Sequence, residues 1–173
     1  MQKKSKKTGI ERLKNYALRL IVKKRYTVSE MTKKLERFVK KHKLENNEGS
    51  EEGDSHPHSN IEKVLDRLFE LNYLNDKAFA RDYIMDRVRF RPRGKFLLRR
   101  ELFLKGIDKE IVENIINETE IDEAKMAEEL IVRQSKRLEK LPPQKCREKI
   151  YRYLASRGFS QDSIYKTIES YYN

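Results

Sequence analysis

Several kinds of residue are scarce in this chain, and each shortage rules something out. A single cysteine, Cys146, excludes an internal disulfide and suits a reducing compartment. No apolar run approaches the roughly 18 residues that a membrane span needs. The opening residues Met1 to Lys7 lack the apolar segment of a secretory signal. A soluble, cytoplasmic protein with no membrane partner is therefore expected. The six glycines form neither a Walker loop nor a dinucleotide fingerprint. Among the three histidines, His56-Pro57-His58 lies beside Glu51, Glu52 and Asp54. Metal sites of the Cys/His type show two well-spaced ligand pairs, so this cluster reads as a solvated loop. No pair of carboxylates stands out for acid–base work in so charged a chain. The expectation is a protein that is not an enzyme, with no catalytic residue, cofactor or metal.

Apolar residues are also few: AVILMFWYC make up 37% of the 173 residues, against 39% for DEKR. They recur at regular intervals, which favours several thin helix–helix seams over one thick core. The intervals repeat. Lys105-Gly106-Ile107-Asp108 is answered fifty-two residues later by Arg157-Gly158-Phe159-Ser160. At that offset Leu98 meets Ile150, Leu102 meets Leu154, Val112 meets Ile164 and Ile116 meets Ile168. A degenerate third copy lies upstream, where Ile61, Val64 and Leu65 match Val112, Ile115 and Ile116. No stretch alternates for long enough to suggest a sheet. The pattern predicts an all-α fold of about nine helices, in three tandem three-helix repeats resembling helix-turn-helix modules. Stacked in line, they would form an elongated, curved molecule with a long shared surface.

The boundaries follow from local chemistry. Residues 1–9 carry four lysines and no acid, and are expected to be disordered. A first helix uses Leu13, Tyr16, Ala17, Leu20 and Ile21 and is closed by Lys23-Lys24-Arg25, cations that suit a helix C-terminus. Thr27-Val28-Ser29-Glu30 is a capping box that starts a second helix. Residues 42–59, with five acids and Leu44 as their one apolar residue, read as an inserted acidic loop. The third helix uses Ile61, Val64, Leu65, Leu68 and Leu71. Asn75 caps the next, which stops before Pro92. Gly106-Ile107 and Gly158-Phe159 are left-handed C-caps, Asp108 is an N-cap, and Leu141-Pro142-Pro143 breaks a helix begun at Ala124. Repeat 1 is placed at 10–74, repeat 2 at 75–119 and repeat 3 at 120–173.

What the chain has in excess is positive charge, +12 overall, which implies an anionic partner. Arg87, Arg89, Arg91, Arg93, Lys95, Arg99 and Arg100 form a run of seven cations that contains no acid. Phe90 and Phe96 are interleaved with them and could pack inward or stack on a base. A solvated face pairing with the next helix is the plainer reading. With no acid inside the run, binding is the stronger one. Residues 133–157 repeat the trend with nine bases against two acids, and 1–25 with ten bases against Glu11. A basic stripe along a linear array would fit a filamentous anion. Lys23, Lys24, Arg25, Arg147, Lys149 and Arg152 form a second tier of candidate contacts. Tyr16, Tyr73, Tyr83 and Tyr153 fall at apolar positions and are expected in the core.

With the repeats laid out, three stretches resemble the RecX family of bacterial recombinase regulators. Tyr16-Ala17-Leu18-Arg19-Leu20 followed by Ser29-Glu30-Met31 and Lys34-Leu35 is similar to the family's opening motif. Leu68, Asn72-Tyr73-Leu74-Asn75-Asp76 and Phe79-Ala80-Arg81 resemble its L-x-x-x-G-Y-L-D/N-D-x-x-F-A-R signature. Arg91-Pro92-Arg93-Gly94, then Leu98, Glu101-Leu102 and Lys105-Gly106-Ile107, are similar to its K/R-P-x-G motif and the helix after it. The likeness covers roughly residues 13–170. Two departures stand out: Asn72 in place of glycine, which asparagine can replace in the left-handed conformation, and the acidic insertion. The resemblance implies a monomer that binds the RecA filament on single-stranded DNA along its groove. It would inhibit RecA by hindering strand exchange, ATP turnover and repressor cleavage, and bind bare DNA only weakly. The alternative from another class is a general DNA-binding protein with tandem helix-turn-helix-like modules.

Overall fold

The computed structural model describes residues 9–42, 44 and 57–172. Residues 1–8 of the basic N-terminus, and most of the acidic insertion with His56, lie outside the described residues. Those described form ten helices and no strand. They are α1 (Gly9–Ile21), α2 (Val28–Lys41), α3 (Pro57–Glu70), α4 (Asp76–Phe90), α5 (Lys95–Leu104), α6 (Lys109–Glu118), α7 (Glu123–Val132), α8 (Ser135–Leu138), α9 (Pro143–Ser156) and α10 (Gln161–Tyr172).

The caps are where side-chain chemistry put them. Thr27 Oγ1 accepts from the Glu30 N–H at 3.1 Å, and Glu30 accepts from the Thr27 N–H at 3.4 Å, which closes the box at the start of α2. Asn75 Oδ1 accepts from the Ala78 N–H at 2.9 Å, and Asp108 from the Glu110 N–H at 2.8 Å. Asn72 takes the left-handed conformation at φ 56°, as its place in the family signature required. Gly106 and Gly158 do the same at 76° and 78°.

Four details differ from the sequence reading. α1 ends at Ile21, so Lys23, Lys24 and Arg25 follow that helix instead of filling its last turn. α3 starts at Pro57, ahead of Ile61, because a proline at the first helical position gives up an N–H that has no partner there. α3 ends at Glu70, which leaves Leu71 46% exposed and outside the core. α7 stops at Val132 instead of running to the prolines. There the Gln134 N–H bonds to Ile131 O at 2.8 Å, and the chain turns into the single turn of α8. That turn buries Leu138 and accounts for the tenth helix.

Two compact units are formed, one by residues up to Phe79 with Lys105–Ile107, the other by Ala80–Leu104 with the residues from Asp108 on. In the first, α1, α2 and α3 pack mutually around Leu13, Ala17, Met31, Leu35, Val64 and Leu68. Tyr16 stacks on Phe38 with ring centroids 4.3 Å apart. The start of α2 ties in distant segments. Thr27 Oγ1 donates to Lys105 O at 2.7 Å, Lys105 Nζ pairs with Glu30 at 2.9 Å, and the Val28 N–H donates to Asp76 Oδ1 at 3.0 Å.

In the second unit α5 packs on α6, and α10 packs on both α7 and α9. Ile84, Leu98, Leu102, Ile116, Ile150, Leu154 and Ile164 are fully buried. The Glu123 carboxylate caps the start of α5 through the Lys95 N–H at 2.5 Å and that of α10 through the Ser160 N–H at 3.4 Å. Beside it the backbone of Gly94 lies directly on that of Gly158. The Gly94 N–H donates to Arg157 O at 3.0 Å, and a Cβ on Gly94 would overlap the Gly158 carbonyl.

Gly94→Ala therefore has no flexible neighbour to displace and should cost on the order of 1–3 kcal/mol, read as a fall in thermal midpoint. Gly9→Ala, with open space around it, should change stability by less than about 0.5 kcal/mol. Asp76 gives a pH-dependent test. Burial first, and then the charge of Glu30, raise its pKa above the usual 3.8, against the lowering effect of the Val28 N–H. A raised carboxyl stabilises the fold below its unfolded pKa, and this contribution is lost as pH rises through the folded value. Asp76→Asn keeps the acceptor and removes the charge. Its melting temperature relative to the native protein should rise from acid towards neutral pH, which parallel melts at pH 3.5 and 7 would reveal.

Candidate functional site

The run of cations on α4, its connection and α5 is sorted by the fold into two sets. No acid lies within the run, yet the tertiary structure brings two from outside it. Glu101 on α5 sits 3.5 Å from Arg87 Nε and 3.3 Å from Arg93 Nε, with all three side chains largely withdrawn from solvent. Arg87 also donates to the Tyr83 hydroxyl at 2.8 Å, and that hydroxyl donates to Glu101 at 2.9 Å. Burial and the neighbouring Glu101 raise the Tyr83 pKa, so the phenol keeps its proton and serves as the donor. Arg99 Nε donates to both carboxylate oxygens of Glu113, at 3.0 and 2.9 Å. Arg87, Arg93 and Arg99 thus answer carboxylates of the same unit. The expectation that the run lacked acidic partners is corrected for these three. Arg89, Arg91 and Arg100 are exposed, and among the described residues no carboxylate pairs with them. Lys95, half-buried, opens α5.

The second gathering of charge could not be seen along the chain. The α4–α5 connection, the end of α7 and the end of α9 enclose a cleft of about 450 Å³. Arg91, Arg93, Arg133 and Arg157 line it with Phe90, Tyr153 and Gln134, and no acid is among its lining residues. Arg133 and Arg157 occupy the C-cap positions of α7 and α9, and Arg91 follows the end of α4. Arg157 lies over the Tyr153 ring, 4.7 Å from its centre, and donates to Pro92 O at 3.4 Å. The Nε atoms of Arg87, Arg93 and Arg157 are buried without a hydrogen-bond partner; those of Arg87 and Arg93 approach Glu101 but are not aligned to donate to it.

A plain reading of these arginines is that they neutralise helix C-termini. Each such terminus is equivalent to roughly half a negative charge, so three supply about −1.5. Four guanidinium groups exceed that, even with Arg93 shared with Glu101. The cleft keeps an excess of positive charge, which suits it to an anion. In the sequence Arg133 and Arg157 bound a basic run and are not among the candidate contacts. Their position at helix ends, with Arg157 directly before a C-cap glycine, was the signal available.

The remaining candidates are distributed as follows. Lys23, Lys24 and Arg25 lie on the exposed turn after α1, with Lys24 Nζ 4.6 Å from the Tyr26 ring centre. Arg147 and Arg152 line a groove of about 630 Å³ between α9 and α10 that also contains Glu148 and Glu169, and Lys149 is half-buried nearby. This groove is of mixed sign. Phe90 and Phe96 are 66% and 68% exposed, so both point outward instead of packing. Tyr73, expected in the core, is 48% exposed, because the chain leaves α3 there through the left-handed Asn72. Among the described residues no group of three or more His, Cys, Asp or Glu side chains could hold a metal ion, and no helix is long and apolar enough to cross a membrane.

Comparison with known proteins places this architecture. The family model for the second three-helix domain of RecX matches residues 75–115, and the model for its third three-helix domain matches 121–168. The regulatory protein RecX of Chlorobium phaeobacteroides is 35% identical over 109 residues, which cover 63% of this chain and 70% of that protein. The regulatory protein RecX of Yersinia pseudotuberculosis is 41% identical over 105 residues, covering 60% of this chain and 56% of that protein. The crystal structure of RecX from Lactobacillus salivarius superposes with a TM-score of 0.71 over 93% of this chain and 95% of that one; at 23% identity this is a likeness of fold. The chain belongs to the RecX family of regulatory proteins.

Proposed function

We propose that this protein regulates the RecA recombinase as an inhibitor, binding along the groove of the RecA filament on single-stranded DNA. Occupying the groove would hinder strand exchange, ATP turnover and repressor cleavage. The reading includes a cytoplasmic monomer that is not an enzyme, with three repeats at 10–74, 75–119 and 120–173. The observation that carries it is the excess of positive charge where α4 meets α5. There Arg89, Arg91 and Arg100 are exposed, and the neighbouring cleft is lined by arginines without an acid. Membership of a family of regulatory proteins supports the reading. Cations displayed on linked modules would steer the encounter with an anionic filament and raise avidity by multivalent contact. Arg87, Arg93 and Arg99 enter as supports that hold the surface in shape; Lys23, Lys24, Arg25, Arg147, Lys149 and Arg152 stand as secondary contacts.

Co-sedimentation with RecA filaments at physiological salt, beside a DNA-only control, tests the reading. The protein should pellet with the coated filament where bare DNA no longer retains it. A pure phosphate binder with six to ten contacts would lose roughly a thousandfold or more in affinity between 50 and 200 mM salt and fail on both. Combined Arg89→Glu, Arg91→Glu and Arg100→Glu should abolish pelleting and inhibition with helicity unchanged. Reversal at Arg93 or Arg99 is avoided, since it would set a carboxylate against Glu101 or Glu113. Full inhibition by the triple variant would move the contact surface elsewhere.

A further inference from the structure

We infer that the arginine-lined cleft is a phosphodiester site for single-stranded nucleic acid, in which Arg91, Arg133 and Arg157 hold one backbone phosphate, Arg93 stays with Glu101, and Phe90 stacks the adjoining base. For its biological role this rests on the proposed function; its chemistry stands on the cleft.

Three features point to that ligand. The volume of about 450 Å³ falls within the roughly 300–1,000 Å³ range of sites that enclose small ligands. The donors are guanidinium groups, whose planar forks match the paired oxygens of a phosphate. One of them, on Arg157, is held in place over the Tyr153 ring and by its bond to Pro92 O, so little freedom is lost when it grips an anion.

Phe90 separates a nucleic acid from other anions. Exposed aromatics are common on protein surfaces and mean little singly, and Phe96 is as exposed without lining the cleft. Phe90 is different because it forms part of the cleft wall, with the Arg89 guanidinium 5.1 Å from its ring centre. An exposed aromatic ring beside a phosphate grip offers the two elements that successive units of a single strand require, and in a duplex the base faces are already stacked. An acidic peptide would use the arginines and leave the ring without a partner.

The test uses the full chain and no recombinase. Binding of a fluorescein-labelled oligo-dT, and of an abasic strand of equal length, is followed by anisotropy across a salt series. Arg91→Gln with Arg133→Gln, both at exposed positions that spare the Arg157 contacts, should weaken binding to both strands. It should also reduce the log–log salt slope by about 0.7, one phosphate's share on a single strand. Phe90→Ala should weaken oligo-dT binding by about fivefold or more, given stacking worth roughly 1–3 kcal/mol per base, and leave abasic binding and the salt slope unchanged. An unaltered slope in the arginine pair overturns the phosphate site. Equal losses on both strands for Phe90→Ala overturn the stacking role. Displacement of oligo-dT by polyglutamate at equal charge concentration assigns the cleft to acidic proteins and overturns the nucleic-acid assignment. If oligonucleotide binding behaves as expected while filament co-sedimentation fails, the filament reading falls and this site stands.

Discussion

The second unit depends on one contact between backbones, where Gly94 lies against Gly158. Neither residue has a side chain to hold the segments apart, and the Gly94 N–H donates to the carbonyl of Arg157. This brings the turn between α4 and α5 against the C-terminal cap of α9. The conformation of Gly158 is itself restricted, because its positive φ belongs to the cap and a Cβ there would meet Leu97. Pro92, Arg93 and Arg157 are close neighbours for this reason, and cations separated by more than sixty residues of chain face one cleft. Guanidinium groups gathered around one cleft repel each other. The three helix ends beneath them, together with Glu101, offset part of that repulsion without cancelling it.

Glu101 has a second role as an arbiter between structure and surface. By holding Arg87 and Arg93 it removes two cations from solvent and leaves Arg89 and Arg91 outside. Glu113 does the same for Arg99. The alternation follows from helix geometry. Residues four apart on α4 share a face, so Arg87 sits with Tyr83 while Arg89 turns away. Ion pairs this far withdrawn from water are costly to break from one side, which makes the inner arginines parts of the scaffold.

Family membership gives a regulatory protein, and the function proposed for it is occupancy of a surface. The function proposed needs no chemical step. It needs a surface that an anionic partner recognises and that several modules present together. The groove of mixed sign between α9 and α10 shows that positive residues alone do not make such a surface. Arg147 and Arg152 share it with Glu148 and Glu169, whereas no acid lines the cleft at the end of α9.

The all-helical class, the capping residues of α2, α4 and α6, and both left-handed glycines were legible in the sequence, because each is decided within a few residues. A threonine four residues ahead of a buried methionine, or a glycine after the last apolar position of a helix, carries its meaning in its neighbours. The same holds for Asn72, whose short amide side chain tolerates the left-handed turn. Tertiary structure decided the pairing of the arginines, since Glu113 lies fourteen residues from Arg99 and only the packing of α5 on α6 joins them. It decided the outward face of Phe90 and Phe96, the exposure of Tyr73 and the break of α7 before its prolines. Above all it assembled the cleft, whose charges come from distant stretches of chain. A sequence shows the sign and number of its charges, and which of them meet is settled where backbone rests on backbone.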